Sequence, residues 1–464
     1  MKHLLSAVTI FFIIIIAASC RKTSFIENAD ASLSLSADTL HFDTVFTTTG
    51  SVTQSFKIFN GNGQKLRLSN IRLMGGNSSP FRINVDGTPG VSFSDVELGA
   101  NDSVYVFVSV TINPTAANLP FIVQDSILVN YNGNDRFLQL QAFGQNAHFL
   151  RNQRITKDSA WNNDLPFVIL GNVTVDEDVS LTINKGCRVY AHADAPFIVN
   201  GSLKVNGEAD SRVIFQGDRL DPEYRDLPAA WPGISFSSTS SNNVLNYATI
   251  KNAYQGIITE SAISATPKIT LNQCIIDNIY DAGILSLASS IKATNLLISN
   301  CGSNIAISGG GNYSFTHCTV ATYGSIFNSH KNPVLFISNA FENQIIPLKA
   351  NFTNCIFYGE GGITENEIVI DKKGSPDTAD FDIVFENVLY KNKKDQPDAT
   401  FINEIRNQPP EFDSIDVARR YFDFRLQPTS LAIDAGAVTN VTIDLNGNPR
   451  GGPAGKPDLG CYEQ

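Results

Sequence analysis

Charge is scarce in this chain. Asp, Glu, Lys and Arg make up 17% of its 464 residues, against roughly 25% in an average globular protein. The Lys and Arg present form no cluster, and the net charge is −11. Nucleic-acid recognition needs a basic patch or stripe, so that partner class is set aside. Long apolar runs are also missing. The longest, residues 4–16, falls short of the about 20 residues that a spanning helix needs. Close cysteine pairs of the Cys-x-x-Cys kind do not occur, which counts against a zinc site. No Gly-x-Ser-x-Gly, His-Glu-x-x-His or complete phosphate loop is present. His41, His148, His192, His317 and His330 stand singly, and a lone histidine is more often a core or surface residue than a catalyst. No catalytic residue, metal ligand or cofactor follows from these patterns.

What is present begins with a targeting pattern. Lys2 supplies a positive start, Phe11, Phe12 and four isoleucines fill the apolar stretch, and Ala17-Ala18-Ser19 leads into Cys20. This order describes a secretory signal. Ala17-Ala18-Ser19-Cys20 resembles a bacterial lipobox, in which the cysteine becomes the lipidated first residue of the mature chain. The resemblance implies a lipoprotein signal peptide over 1–19, lipidation at Cys20 and a tether over 20–29. The alternative is an ordinary signal peptide with a chance cysteine. Several acyl chains would anchor stably, since each buried methylene contributes about 0.8 kcal/mol. Arg21, rather than Asp, follows the cysteine. By resemblance to Gram-negative sorting patterns this favours the outer membrane, facing periplasm or cell surface.

Residues 30–148 read as a β-sandwich. Val104, Val106, Val108 and Val110 alternate with Tyr105, Phe107 and Ser109, the period-two pattern of a strand with two distinct faces. Residues 55–59, 66–73, 126–130 and 137–142 are further strands, separated by clusters such as Asn60-Gly61-Asn62-Gly63 and Asn132-Gly133-Asn134. Short strands at this spacing suggest an immunoglobulin-like sandwich, although no Cys-Trp-Cys framework supports true immunoglobulin ancestry. The polar stretch 149–164 reads as a linker.

Beyond residue 165 short apolar pairs recur between Asn, Gly, Ser and Thr. Six segments align on Ala248, Cys274, Leu296, Cys318, Cys355 and Val388, at spacings of 26, 22, 22, 37 and 33 residues. Two positions later stand Ile250, Ile276, Ile298, Val320, Phe357 and Tyr390; three earlier stand Leu245, Leu271, Ala293, Phe315, Phe352 and Phe385. Four positions after the anchor, four segments carry Asn252, Asn278, Asn300 and Asn392. Such a repeat cannot bury its apolar side alone and must stack. Stacking in register sets equivalent residues about 4.8 Å apart, as neighbours in a sheet. Asparagine suits the bends because it tolerates left-handed backbone. The two long spacings imply loops bulging from a coil or an intervening coil of weaker pattern.

Gly171-Asn172-Val173-Thr174-Val175, the Val-Asn-Gly turns near 200 and 206, Trp231-Pro232-Gly233-Ile234 and His317-Cys318-Thr319-Val320 resemble the coils of right-handed parallel β-helix repeat lipoproteins of the bacterial cell envelope. Ile433-Asp434-Ala435-Gly436, residues 444–450 and Asp458-Leu459-Gly460-Cys461-Tyr462-Glu463 resemble that family's terminal elements, with Cys461 where a small residue is usual. The resemblance implies an all-β chain: an N-terminal Ig-like module, a pectate-lyase-like solenoid over 165–430 and a C-terminal cap over 431–464.

Four candidates for chemistry remain. Tyr254 and Tyr280 fall six positions after adjacent anchors; stacked rings bind sugar faces, or they simply close the core. The loop 218–226, with Asp218, Asp221, Glu223, Tyr224, Arg225 and Asp226, is a groove wall, a Ca²⁺ loop or a solvated surface loop. Asp444-x-Asn446-x-Asn448 begins like a Ca²⁺ loop but has Gly455 at its twelfth position, which favours a turn. Cys274, Cys318 and Cys355 share a column; stacked residues point the same way, which is poor disulfide geometry, and they read as core. The six cysteines after Cys20 are even in number, so disulfides among the others stay open.

The expectation is a membrane-anchored protein whose β-helix binds extended carbohydrate or another surface polymer, with no nucleic acid and no cofactor. The alternatives are a polysaccharide lyase or glycoside hydrolase, and a structural envelope protein without a small ligand. No adjacent aspartates occur within the aligned coils. Carboxylates converging with Arg or Lys in one groove would favour an enzyme, and a face of Tyr, Asn and Thr would favour binding.

Overall fold

The computed structural model describes residues 24–47, 50–113, 121–261, 266–374, 380–451 and 455–464. The signal segment and Cys20 lie outside the described residues. The chain divides into two compact units, Met1–Asn146 and Ala147–Gln464.

In the first unit two five-stranded sheets enclose one core. Alternation produces it. Val104, Val106, Val108 and Val110 of strand Ser103–Val110 are buried, while Tyr105 and Phe107 face outward. Leu66, Leu68, Ile71 and Leu73 come from the opposite sheet. Pairing is antiparallel except where Asn134–Gln145 runs parallel to Thr39–Phe46.

The second unit is a parallel β-helix built on a single 24-stranded sheet. One coil comprises Ile257–Glu260, Ile269–Asn272 and Ile275–Asp277, and pairs in parallel with Ala282–Thr294 and Leu297–Ser299 of the next. The aligned positions stack as the repeat requires. Ile250 pairs with Ile276, then Ile298, Val320, Phe357 and Tyr390 in succession. Leu245 pairs with Leu271, Ala293, Phe315, Phe352 and Phe385. At the end of that column the rings of Phe315, Phe352, Phe385 and Phe401 stack at 5.3, 4.7 and 4.7 Å. Burying each such ring contributes about 1.5–3 kcal/mol. All six described cysteines are free and buried, Cys274, Cys318 and Cys355 within this core.

The long spacing of 37 is a bulge and not an extra coil, because Thr319–Tyr323 pairs directly with Leu348–Glu360. The expected linker is also corrected. Segments His148–Ile155 and Ser159–Trp161 are strands of the helix, paired with Phe167–Val175 and Ser180–Asn184. Their polar side chains face out, whereas Ile155 and Trp161 turn inward and are buried. Trp161 stacks 4.4 Å from Phe167 and closes the first coil. Gly233 is required where coils touch: its φ is 111°, and a Cβ there would lie 1.6 Å from the Gln255 carbonyl oxygen.

Left-handed residues make the bends. One column, Tyr247, Gln273, Asn295, His317, Asn354 and Asn387, precedes the anchor strands. A second, Asn252, Asn278 and Asn300, follows them. Left-handed backbone disfavours most side chains but suits asparagine, which is why these corners are asparagine-rich.

The expected cap over 431–464 is corrected as well, and so is the solenoid's end at 430. The last described strand of the helix sheet is Ile405–Arg406, followed by the antiparallel hairpin Phe412–Asp416/Tyr421–Leu426. The remainder is a strap that runs back along the first bend column. Asn387 donates to the Ala435 carbonyl (2.8 Å), Asn354 to that of Ala437 (2.8 Å) and Asn295 to that of Ile443 (2.8 Å). Leu445, Leu459 and Cys461 of the strap are buried in one cluster with Leu297, Ala321, Ile356 and Leu389 on the outer side of the anchor strands. The sheet thus has an apolar outer face as well as an apolar interior, and the strap covers it.

Candidate functional site

The second bend column carries the features left open to solvent. Tyr254 and Tyr280 stand two residues after Asn252 and Asn278. Their rings stack with centroids 5.5 Å apart and planes 26° from parallel. They are 48% and 50% exposed, so they do not close the core. Their backbones are held by ladder bonds from Tyr254 N to Trp231 O (2.7 Å) and from Tyr280 N to Ala253 O (3.0 Å). Beside them Gln255 Nε2 donates to Asp281 Oδ2 at 2.7 Å.

On the other side of the same bend lies a polar cavity of ≈ 190 Å³. Its floor is an outward-facing column one position before the asparagines. Lys251 pairs in register with Asp277, and Asp277 with Ser299. Trp231 Nε1 donates to the Lys251 carbonyl (2.9 Å), which fixes the strand that carries this lysine. One wall is Asp226, at the end of the charged loop. Asn252 donates to the Arg225 carbonyl (2.7 Å), Asn278 to that of Asp226 (3.0 Å), and Asn278 also to Asn252 Oδ1 (2.8 Å). The opposite wall is the C-terminal hairpin, with Arg419, Arg420 and Phe422. Arg420 also donates to the Asp226 carbonyl and bridges the two walls.

Asp277 is the group the cavity perturbs. Enclosure by protein raises its carboxyl above the ordinary carboxylate range. The Ser299 hydroxyl (2.7 Å), Asn300 and the cations Lys251 and Arg420 oppose that rise. Among the described residues Lys251 makes no ion pair within 4.0 Å, while Arg419 sits 3.7 Å from Asp416 and Arg225 3.5 Å from Asp226.

The other candidates resolve by their hydrogen bonds. In the loop, Asp218 pairs with His192 (2.8 Å) and Asp221 with Arg219 (3.0 Å), leaving Asp226 as the carboxylate that lines the cavity. The loop is therefore a groove wall at its end and an ion-paired surface loop elsewhere. Asp444 accepts from the Asn446 and Asn448 amides, both at 2.8 Å, and from the Glu463 amide at 3.1 Å. Those bonds make it a turn within the strap. The Lys251–Asp277–Ser299 column escaped the reading of the sequence. Its signal lies three positions after each anchor, but it is not the column of aspartate on aspartate that marks a carboxylate site. Here a lysine and a serine flank the single aspartate.

No family model matches the chain, and no curated protein does. Among solved structures it is similar to the catalytic unit of a GH87 alpha-1,3-glucanase from Streptomyces thermodiastaticus, at 10% identity over 76% of this chain and 89% of that one, with a TM-score of 0.24. It is also similar to a family 123 glycoside hydrolase from Clostridium perfringens, at 10% identity over 26% of this chain, 30% of that one and a TM-score of 0.19. A third is the ASH/PapD-like domain of human CEP192, at 10% identity over 27% of this chain, 92% of that one and a TM-score of 0.18. This chain spans under a third of the length of the Clostridium perfringens enzyme. At these TM-scores the likenesses decide nothing about function, and the fold rests on the chain's own strand register.

Proposed function

We propose that this chain is a lipid-anchored protein of the cell envelope whose β-helix binds extended carbohydrate. The observation that carries the reading is the exposed Tyr254–Tyr280 stack, two aromatic faces on successive coils beside a polar cavity. Aromatic faces take the apolar sides of sugar rings, and the neighbouring amides and carboxylates supply partners for hydroxyls. Binding sites of this kind join an apolar surface to a few fixed polar groups. The lipobox-like Ala17-Ala18-Ser19-Cys20 supports an outer-membrane anchor, and the β-sandwich, read as an Ig-like module, would space the helix from the membrane.

Retention of the purified protein on a panel of immobilised glycans tests this. Tyr254→Ala and Tyr280→Ala should each lower retention at least tenfold on whichever glycan is held. Unchanged retention in both would remove the tyrosines from the site. Cys20→Ala should shift the protein to the soluble fraction, and continued membrane association would overturn the anchor.

A second reading is favoured by one observation. Asp226 and Asp277 line one cavity with Lys251, Arg419 and Arg420, the convergence that suits a polysaccharide lyase or hydrolase. Product analysis of the same panel separates the two, because cleavage of any retained glycan would make the protein an enzyme.

A further inference from the structure

We infer that the cavity at Asp277 is a subsite for an acidic sugar residue, across the bend from the tyrosine stack; this rests on the carbohydrate reading above. Charge balance carries the assignment. Of the five charged side chains lining the cavity, Asp226 has Arg225 at 3.5 Å and Arg419 has Asp416 at 3.7 Å. That leaves Lys251 and Arg420 acting on a single carboxylate, Asp277. Lys251 has no ion-pair partner within 4.0 Å among the described residues, and the Arg420 guanidinium is held by a backbone carbonyl and by the Phe327 ring at 5.3 Å. One further negative charge brings the cluster to neutrality. The sign matters because the protein as a whole carries −11. A long acidic polymer is repelled by that surface within the Debye length of about 8 Å and screened from it beyond, so an anion is favoured only where cations are placed locally.

The geometry points to a sugar rather than a free ion. Phe422 gives the cavity an aromatic wall, Ser325 and the asparagines give neutral hydrogen-bonding groups, and the tyrosines follow two residues after Asn252 and Asn278. A chain held on Tyr254 and Tyr280 would reach the subsite by passing round this bend, which sets one residue's carboxylate or sulfate against Lys251. Asp277 then acts as a selectivity element. It accepts hydroxyl hydrogen bonds and opposes the anion, which keeps the subsite weak for small free anions.

The test uses the full-length chain and three tetrasaccharides of equal length: a uronate oligomer, its carboxyl-reduced neutral form and a sulfated form. Binding is measured by calorimetry at low and at physiological salt. Wild type should bind at least one acidic oligomer about tenfold more tightly than the neutral one, with the preference shrinking as salt rises. The two acidic arms show whether carboxylate or sulfate is the group recognised. Lys251→Gln should abolish the preference for the acidic oligomer. Asp277→Asn should tighten acidic binding several-fold without altering the melting temperature, an increase that a purely structural role would not give. Tyr254→Ala should weaken all bound oligomers in the same proportion. Equal binding of acidic and neutral forms, or weaker acidic binding in Asp277→Asn, would overturn the acidic subsite and leave carbohydrate binding standing. Failure of all three oligomers to bind would overturn both.

Discussion

The two bend columns of the β-helix have the same backbone and opposite fates. Both place left-handed residues at successive corners, half of them asparagine in the first column and all of those named in the second. Along the first column the side-chain amides are taken up by the C-terminal strap: Asn295, Asn354 and Asn387 donate to strap carbonyls, and Asn354 Oδ1 also accepts from Ala437 N at 2.8 Å. Along the second, Asn252 and Asn278 hydrogen-bond each other and the backbone of the 225–226 loop, and the column beside them stays open. A buried amide must be satisfied somewhere. Where the chain itself supplies the partner over several coils, the corner is structural. Where the partners are local, neighbouring charged groups remain free to meet a ligand.

The sharpest way to break this contrast is to unlock the strap. Arg450 and Glu463 form an ion pair at 3.0 Å with side chains 2% and 5% exposed. Glu463 also accepts from the backbone amides of Gly451 (2.8 Å) and Asp458 (3.0 Å). Removing one member of a buried pair leaves an uncompensated charge, which costs about 3–5 kcal/mol. Glu463→Ala should lower stability by that amount in urea and make Cys461 reactive toward a thiol reagent. Lys251→Gln, in the open column, should change stability by no more than about 0.5 kcal/mol. Equal losses in both variants would erase the distinction between a sealed and an open column.

His317 sharpens the comparison through pH. It is the one histidine in the sealed column, where Asn354 Nδ2 lies 3.0 Å from its Nε2. Burial, with the nearby Arg450 guanidinium, lowers its pKa to about 3. The unfolded chain, with histidine near 6.5, then binds more protons than the folded one between pH 6.5 and 3. Stability from this group is therefore complete above about pH 6.5 and declines as pH falls, by about 2 kcal/mol at pH 5. His317→Asn keeps a residue that tolerates the left-handed corner, as at Asn295 and Asn354. It should leave stability at pH 7.5 within about 1 kcal/mol and flatten the acid limb. An unchanged acid limb in urea titrations at pH 5 and 7.5 would show that His317 already titrates normally.

The helix was legible because its core is periodic. Stacking demands like on like, and the register of Leu245 to Phe385 and of Ile250 to Tyr390 could be read from spacing alone. The strap was legible as a motif but not as a place. Ile433-Asp434-Ala435-Gly436 and Asp458-Leu459-Gly460 mark the chain's end in sequence, yet their backbones lie against Asn387 and Asn354, contacts that local patterning cannot encode. Segment 149–164 was misread because strands of a first coil need only Ile155 and Trp161 inward, too few to register as alternation. The cavity was hidden for a related reason. Its floor comes from three successive coils, but its walls come from a loop near 226 and a hairpin near 420.

A pair of asparagine variants separates the columns most directly. Asn354→Ala removes both strap bonds and puts a Cβ-bearing, non-asparagine residue at φ 57°. Two hydrogen bonds at about 1 kcal/mol each and the left-handed penalty of about 1 kcal/mol give a loss near 2–3 kcal/mol. Asn252→Ala also sits in left-handed backbone, at φ 61°, but the bonds it loses are to Asn278 and the Arg225 carbonyl. Half of what it supports is an exposed loop, which contributes little to global stability, so its loss should be nearer 1–2 kcal/mol. Its distinctive result is local. With the Arg225 carbonyl released, the loop opens more often, and trypsin should cut after Arg225 several-fold faster in Asn252→Ala than in wild type. Asn354→Ala, despite the larger loss of stability, should leave that cleavage unchanged under native conditions. Faster cleavage at Arg225 in Asn354→Ala alone would place the loop under the control of the strap, and the two bend columns would then act as one unit.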